Sequence, residues 1–377
     1  MSESFERVVI VGVGLIGASL GAALRRLPEA PRIQGVDADA RNLAVALERG
    51  AVHEALTAMD VDSALMRADL VVIATPVSEA MEWLARLARL GYGGVVTDVA
   101  STKAAVSAQA GRILADSSAV FIGGHPMAGS ERSGPEASDP DLFRGAYYVL
   151  CPSQDTPADA YSRLHHLVTA IGARAIAVGP EEHDRAVASI SHAPHVAASA
   201  LTNVAADRAS GGTDVLRLAA GGFKDMTRIA AGSPELWTGI CLDNSEALMG
   251  ALGDLSEQLS EFSRLLAFGD RAGLHEWLGR AAQVRRGLPA QWVPASARLR
   301  EVTVAMSDRP GAVSAITQAA ARAGCNIEDI GIDHVTEDTA FLSLVLTDEG
   351  DADAMVQGLR DDGFEVTLTP LDPEAQA

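Results

Sequence analysis

The run Val8-Val9-Ile10-Val11-Gly12-Val13-Gly14-Leu15-Ile16-Gly17 decides the fold. Four consecutive β-branched residues predict a buried strand, and the uncharged stretch that follows the glycines reads as a helix. Gly12 permits a tight turn, Gly14 lets the backbone approach a pyrophosphate, and Gly17 lets the helix pack close to the strand. Leu15 and Ile16 open that helix, whose first amides face the anion. A glycine-rich turn alone says little; between a strand and a helix it reads as a dinucleotide site. Asp37, at the end of the next predicted strand, is placed to accept hydrogen bonds from both ribose hydroxyls and to repel a 2′-phosphate, so the expected cofactor is NAD. Thr75 and Pro76 follow a later strand and belong to the same crevice.

Outward from this turn, residues 1–180 alternate short β-branched runs with helical stretches. The strands expected are Val8–Val11, Ile33–Val36, Leu70–Ala74, Gly94–Thr97, Val120–Ile122, Tyr147–Leu150 and Ala175–Val178, with helices such as Glu79–Leu90 and Ala158–Ile171 between them. That pattern predicts an α/β fold, a doubly wound, Rossmann-like parallel sheet covered on both faces. Residues 181–290 are Ala/Leu-rich with three-to-four-residue apolar spacing, which predicts an all-helical domain. Within it Ser233-Pro234-Glu235 is a helix start, and the helix is expected to run to about Phe268. Glycine, prolines and small residues make 291–298 a linker. Residues 299–377 read as a βαββαβ, ferredoxin-like module.

A chain of 377 residues is long enough for two to three domains, each with its own core. With 50 Asp+Glu against 30 Lys+Arg the net charge is −20, which repels phosphate backbones and anionic headgroups and so argues against nucleic-acid and membrane partners. Lysine occurs only at Lys103 and Lys224. Cys151, Cys241 and Cys325 show no ligand spacing, so no metal is expected and a reducing compartment is. The uncharged run from Val8 to Leu24 follows Glu3 and Glu6 and has no clean cleavage site, so it reads as strand, turn and helix of a cytoplasmic protein.

Three stretches hold more polar groups than folding explains. In Thr97-Asp98-Val99-Ala100-Ser101-Thr102-Lys103, Ser101 is placed to cap a helix while facing the crevice. In Gly123-Gly124-His125-Pro126-Met127-Ala128-Gly129-Ser130-Glu131, His125 ends a strand, where an imidazole can take a hydroxyl proton as hydride leaves the same carbon. In the helical region, Ser191-His192-Ala193-Pro194-His195, Gly221-Gly222-Phe223-Lys224-Asp225-Met226-Thr227-Arg228 and Trp237 suggest a pocket in which Arg228 binds a carboxylate.

Taken together, these stretches resemble the prephenate dehydrogenase family over roughly residues 7–290. The resemblance implies NAD-dependent oxidative decarboxylation of prephenate to 4-hydroxyphenylpyruvate, in tyrosine biosynthesis, and a homodimer formed through the helical domain. It implies that His125 is the hydrogen-bond acceptor or base and that Ser101 bridges hydroxyl and nicotinamide. Ser130, His192, His195, Asp225, Arg228 and Trp237 then line the substrate pocket, with Arg228 on a carboxylate. The C-terminal Asp308-Arg309-Pro310-Gly311 looks like the opening of an ACT domain, implying a tyrosine effector near Asp308, Pro310 and Gly311. Arogenate dehydrogenase is the alternative, with Glu131 and Asp225 as the acids that would favour an amine-bearing substrate. Two further alternatives are weaker: a β-hydroxyacid dehydrogenase or imine reductase that shares the turn would need a helix lysine, whereas Lys103 reads as a strand-end loop residue, and the intact polar stretches argue against an inactive amino-acid-binding regulator.

Overall fold

The computed structural model describes residues 4–129, 132–209, 215–287, 300–307, 309–335, 339–347 and 349–370. Ser130, Glu131, Asp308 and the expected linker 291–298 lie outside the described residues. The chain forms two compact units, one built from residues 4–183 and 300–370, the other from 184–287.

The first unit begins with β1 (Arg7–Val11), α1 (Leu15–Leu24), β2 (Arg32–Val36), α2 (Ala40–Glu48), β3 (Glu54–Ala55), α3 (Val61–Leu65), β4 (Leu70–Ile73) and α4 (Val77–Leu90). It continues through β5 (Val95–Asp98), α5 (Ala104–Ile113), β6 (Val120–Pro126), β7 (Tyr147–Cys151), α6 (Ala158–Ala170), β8 (Arg174–Ala177) and the start of α7 (Pro180–Val187). Among the described residues the sheet has eight strands in the order β3-β2-β1-β4-β5-β6-β7-β8. In β1, Val8 and Ile10 join one apolar cluster and Val9 and Val11 the other, so the strand is buried on both sides. That is the pattern a helix-covered parallel sheet demands. Strand order reverses between β1 and β4, and the crevice at their carboxyl ends is where ligands of such sheets bind.

One expectation is corrected: the sheet is not parallel throughout. β6 and β7 are antiparallel, with His125 opposite Val149. Between these strands the described chain contains only a 3₁₀ turn, Pro135–Ala137, and no helix to carry a parallel crossover. Parallel pairing resumes from β7 to β8, where α6 supplies the crossover.

The second unit contains the remainder of α7, then α8 (Ala193–Ala209), α9 (Gly221–Thr227), α10 (Pro234–Asp243), α11 (Ser245–Ala267) and α12 (Arg271–Gly287). Ser233 caps α10, accepting from Leu236 N at 3.3 Å, with Pro234 in the first turn. The single helix expected as far as Phe268 is broken at Asn244, which leaves helical geometry at φ −114°, ψ 31°. Its buried amide donates to the Asp184 carbonyl at 2.8 Å, a tertiary bond that no local propensity announces.

The C-terminal module comprises β9 (Arg300–Ser307), α13 (Ala312–Arg322), β10 (Ile327–His334), β11 (Thr339–Leu346), α14 (Ala352–Asp361) and β12 (Glu365–Pro370). Its sheet runs β10-β11-β9-β12, all antiparallel. Val302, Val304, Leu342 and Leu344 bury one face beneath Ile316, Met355 and Leu359. From the opposite face Phe341 meets Tyr161 and His165 of α6, with ring centroids 5.1 and 5.2 Å apart. Thr367 Oγ1 lies 2.8 Å from His166 Nε2. The second face of the small sheet is thus partly covered by α6, and the module shares one compact unit with the large sheet.

Candidate active site

At the glycine turn each glycine has a separate steric reason. Gly12 adopts φ +90°, and a Cβ there would lie 2.5 Å from the Ala74 carbonyl oxygen. A Cβ on Gly17 would lie 2.0 Å from the Gly12 carbonyl oxygen, so only glycine lets α1 sit this close to β1. A Cβ on Gly14 would meet nothing within 4 Å, which leaves room for a ligand. Gly14 occupies the N-cap of α1 without a side-chain cap, and the partly exposed Leu15 and Ile16 follow it. Asp37 also braces this turn: its Oδ2 accepts from Val13 N at 2.9 Å and its Oδ1 from Asp39 N at 2.8 Å. Thr75 Oγ1 is buried with no hydrogen-bond partner among the described residues, and Pro76 caps α4 beside it. An open glycine, an orphaned hydroxyl and a half-buried carboxylate on one crevice rim fit a dinucleotide.

Two strands along, the buried Asp98 and Lys103 form an ion pair. Asp98 Oδ1 also accepts from Gly124 N at 3.0 Å, its Oδ2 accepts from Ala100 N at 3.0 Å, and Lys103 Nζ donates to the Gly124 carbonyl at 2.8 Å. Both backbone groups of Gly124 are thus held by one charge pair, which fixes the strand just before His125. The expected cap at Ser101 is corrected: the N-cap of α5 is Lys103, and no side chain caps it. Ser101 instead stays half-buried in the bend between β5 and α5. The partly exposed His125 places Nδ1 2.8 Å from Nε2 of the buried His183 on α7.

In the helical unit, a single π turn at Ala188–His192 joins α7 to α8 and shifts the register that presents His192 and His195. His192 Nδ1 lies 3.2 Å from the Asn244 amide, and its ring meets Trp237 edge-on at 6.0 Å. His195 stacks on Trp237 with centroids 3.5 Å apart. Burial lowers the His195 pKa, and its Nδ1 has no partner among the described residues. Trp237 Nε1 would lie 2.6 Å from a Cβ on Gly232, so this glycine admits the indole. Lys224, Asp225 and Arg228 are exposed, and among the described residues none of the three forms an ion pair. In the C-terminal module Gly311 caps α13 at φ +95° in open space, just after Pro310. Among the described residues no cluster of His, Cys, Asp and Glu forms a metal site, and no helix is long and apolar enough to cross a membrane.

His183 and Asn244 carry no signal in the local sequence. His183 sits three residues after Pro180 among acidic neighbours and reads as an ordinary surface-helix residue, and no local pattern flags Asn244.

Comparison with known proteins covers most of the chain. Residues 20–177 match the family model described as prephenate dehydrogenase, nucleotide-binding domain, and residues 179–280 the one described as prephenate dehydrogenase, dimerization domain. Residues 302–369 match the ACT domain. Prephenate dehydrogenase of Bacillus subtilis (strain 168) is 33% identical over 340 residues, covering 90% of this chain and 91% of the relative. The structure of prephenate dehydrogenase from Aquifex aeolicus, in complex with hydroxyphenyl propionate and NAD+, is similar with a TM-score of 0.71 at 30% identity, covering 76% of this chain and 99% of that one. Synechocystis arogenate dehydrogenase is similar with a TM-score of 0.64 at 32% identity, covering 74% and 99%.

Proposed function

The chain belongs to the prephenate dehydrogenase family, and from that premise we propose that it converts prephenate to 4-hydroxyphenylpyruvate and carbon dioxide, reducing NAD, in tyrosine biosynthesis. It is an NAD-dependent oxidoreductase. The observation that carries the substrate reading is His125, held at the carboxyl end of β6 by the Asp98–Lys103 clamp, on the same sheet as the glycine turn.

Gly12, Gly14, Leu15, Ile16, Gly17, Asp37, Thr75 and Pro76 would hold NAD, which when bound supplies a hydride acceptor. Asp37 would take the adenosine ribose hydroxyls on the carboxylate lone pairs that Val13 N, Asp39 N and the Asn42 side-chain amide leave over. As the hydroxyl-bearing ring carbon gives up its hydrogen as hydride, His125 accepts the proton of the ring hydroxyl, leaving a ring ketone, and Ser101 orients that hydroxyl by a hydrogen bond. Loss of the ring carboxylate as carbon dioxide leaves its bonding electrons in the ring, which becomes aromatic, and His125 can return the proton to the phenol oxygen. Arg228 would hold a substrate carboxylate, a role its exposed guanidinium suits. His192, His195, Asp225, Trp237 and Ser130 take their substrate-lining roles from the family resemblance.

Residues 1–180, 181–290 and 299–377 are proposed as the NAD-binding, helical and ACT domains of a cytoplasmic homodimer. The helical unit exposes Ile190, Leu218, Leu242, Met249, Leu266 and Phe268, more apolar surface than a lone helical unit leaves in water, which favours pairing of two copies. Tyrosine is proposed as the effector of the ACT module near Asp308, Pro310 and Gly311. Arogenate dehydrogenase is the second reading, favoured by the likeness to the Synechocystis enzyme. NADH absorbance with prephenate or arogenate, NAD or NADP, and tyrosine present or absent tests these readings together. Activity with prephenate and NAD supports the first, activity with arogenate alone the second, and activity with neither removes both.

A further inference from the structure

We propose that His183 is a positioning residue that keeps the proton of neutral His125 on Nδ1, so that Nε2 is the nitrogen that accepts the substrate proton. The proposal rests on the reading of His125 given above. Two imidazole nitrogens 2.8 Å apart share one hydrogen between them. If His183 Nε2 carried it, His125 would hold its own proton on Nε2 and could only donate to a hydroxyl. With the hydrogen on His125 Nδ1, that group donates to His183 Nε2, and the lone pair is on His125 Nε2. Only this second arrangement can take up a hydroxyl proton.

Both partners of this bond are fixed. His183 is 2% exposed on α7, and its backbone N donates to the Gly179 carbonyl at 2.8 Å. The rings meet edge to face at 74°, with centroids 5.0 Å apart. His125 is held from the other side through Gly124, by Asp98 and Lys103. As the hydroxyl O–H bond breaks and an N–H bond forms at His125 Nε2, the ring becomes cationic. The Nδ1–H bond to neutral His183 then becomes charge-assisted, where a protonated His183 would oppose it.

Ionisable groups on the elements that carry the pair and pack beside it include Asp98 from β5, Lys103 at the start of α5, Tyr148 and Cys151 from β7, and Glu181, Glu182 and the buried Asp184 flanking His183 on α7. Asp98 and Lys103 pair with one another, and burial pushes the Tyr148 phenol up.

The test uses the full chain with His183→Leu and His183→Gln. Imidazole nitrogen chemical shifts, recorded without cofactor, are expected to show His125 protonated on Nδ1 in the wild type and a tautomer mixture in His183→Leu. The loss in kcat for His183→Leu is expected to be about 10- to 100-fold, the size seen when an orienting hydrogen bond is removed, with the prephenate KM and NAD Kd within about twofold. His183→Gln, whose Oε1 can accept from Nδ1–H, is expected to recover most of this loss, and the acid limb of the kcat profile should move in both variants. Wild-type His125 protonated on Nε2, or His183→Leu with unchanged kcat and pH profile, would overturn the proposal. If the leucine variant does not fold, the wild-type nitrogen shifts and the glutamine variant decide it. Absence of NADH formation by the wild type with either ring substrate would sink the proposed function instead, while the nitrogen shifts still report the tautomer.

Discussion

Replacing Lys103 by methionine tests whether the buried charge pair holds the active strand. Lys103 is fully buried, and its ammonium serves both Asp98 and the Gly124 carbonyl. Methionine fills a similar volume, so the change removes charge and hydrogen bonds without opening a large cavity. Among the described residues Asp98 would then be a buried carboxylate held by two backbone donors, Gly124 N and Ala100 N, each at 3.0 Å. Breaking a buried pair on one side costs about 3–5 kcal/mol; the two remaining donors place this case near the lower end, and the orphaned Gly124 carbonyl adds about 1 kcal/mol. The expected loss in unfolding free energy is therefore about 4 kcal/mol, read from urea titrations with m unchanged. Asp98→Asn combined with Lys103→Met removes the uncompensated charge and is expected to regain about 2 kcal/mol. Because Gly124 precedes His125, kcat of the single variant should also fall, by about tenfold, or ~1.4 kcal/mol of barrier. A single variant within 1 kcal/mol of wild type, or a double variant less stable than the single, would refute the argument.

Four further outcomes follow from the same geometry. His125→Asn should lower kcat by about 10²- to 10⁴-fold, the usual worth of a positioned proton acceptor, with NAD affinity retained by fluorescence titration; unchanged turnover removes His125 from the chemistry. Arg228→Gln should raise the prephenate KM by about 10- to 100-fold, the loss of a charge-assisted hydrogen bond of ~1.5–3 kcal/mol, and an unchanged KM would place the carboxylate elsewhere. Asp37→Ala should lower the NAD:NADP preference in kcat/KM by at least about tenfold, or ~1.4 kcal/mol, and should also weaken NAD binding because Val13 N loses its acceptor; an unchanged ratio excludes Asp37 from the cofactor site. Asp333, whose carboxyl burial pushes up to about 6 although Ala177 N donates to it, binds its proton more tightly folded than unfolded. Its protonated form therefore supports the fold below about pH 4, and that support is lost as pH rises through about 6. Asp333→Asn should stabilise the protein at neutral pH by about 1–2 kcal/mol, after allowance for partial exposure, and the gain should vanish near pH 4; a pH-independent difference refutes this.

What the sequence made legible was whatever a local pattern encodes. The Val8–Val11 run and the glycines at 12, 14 and 17 specify strand, turn and helix; a Cβ at 17 would strike the backbone of the same turn, while one at 12 would strike the backbone just after β4. His125 was legible because glycine and proline flank it at a strand end, and the C-terminal βαββαβ order followed from its alternating periods. Features that depend on long-range partners were not legible. The antiparallel turn from β6 to β7 depends on what a long connection lacks, and the break at Asn244 on a carbonyl sixty positions away. Lys103 looked like a loop residue because nothing nearby in sequence announces that Gly124 will stand over it. His183 combines these causes, since its helix is polar and ordinary and only the folding of α7 against the end of β6 brings it to His125. The cofactor cradle is local because backbone approach is set by neighbouring residues. The His125–His183 and Asp98–Lys103 pairs, proposed to handle the proton, are assembled from strands and helices distant in sequence, because a buried imidazole or ion pair needs partners from several elements to offset its desolvation. For the same reason the residues that the sequence conceals here, Lys103 and His183, are the ones whose substitution tests folding and the proposed chemistry together.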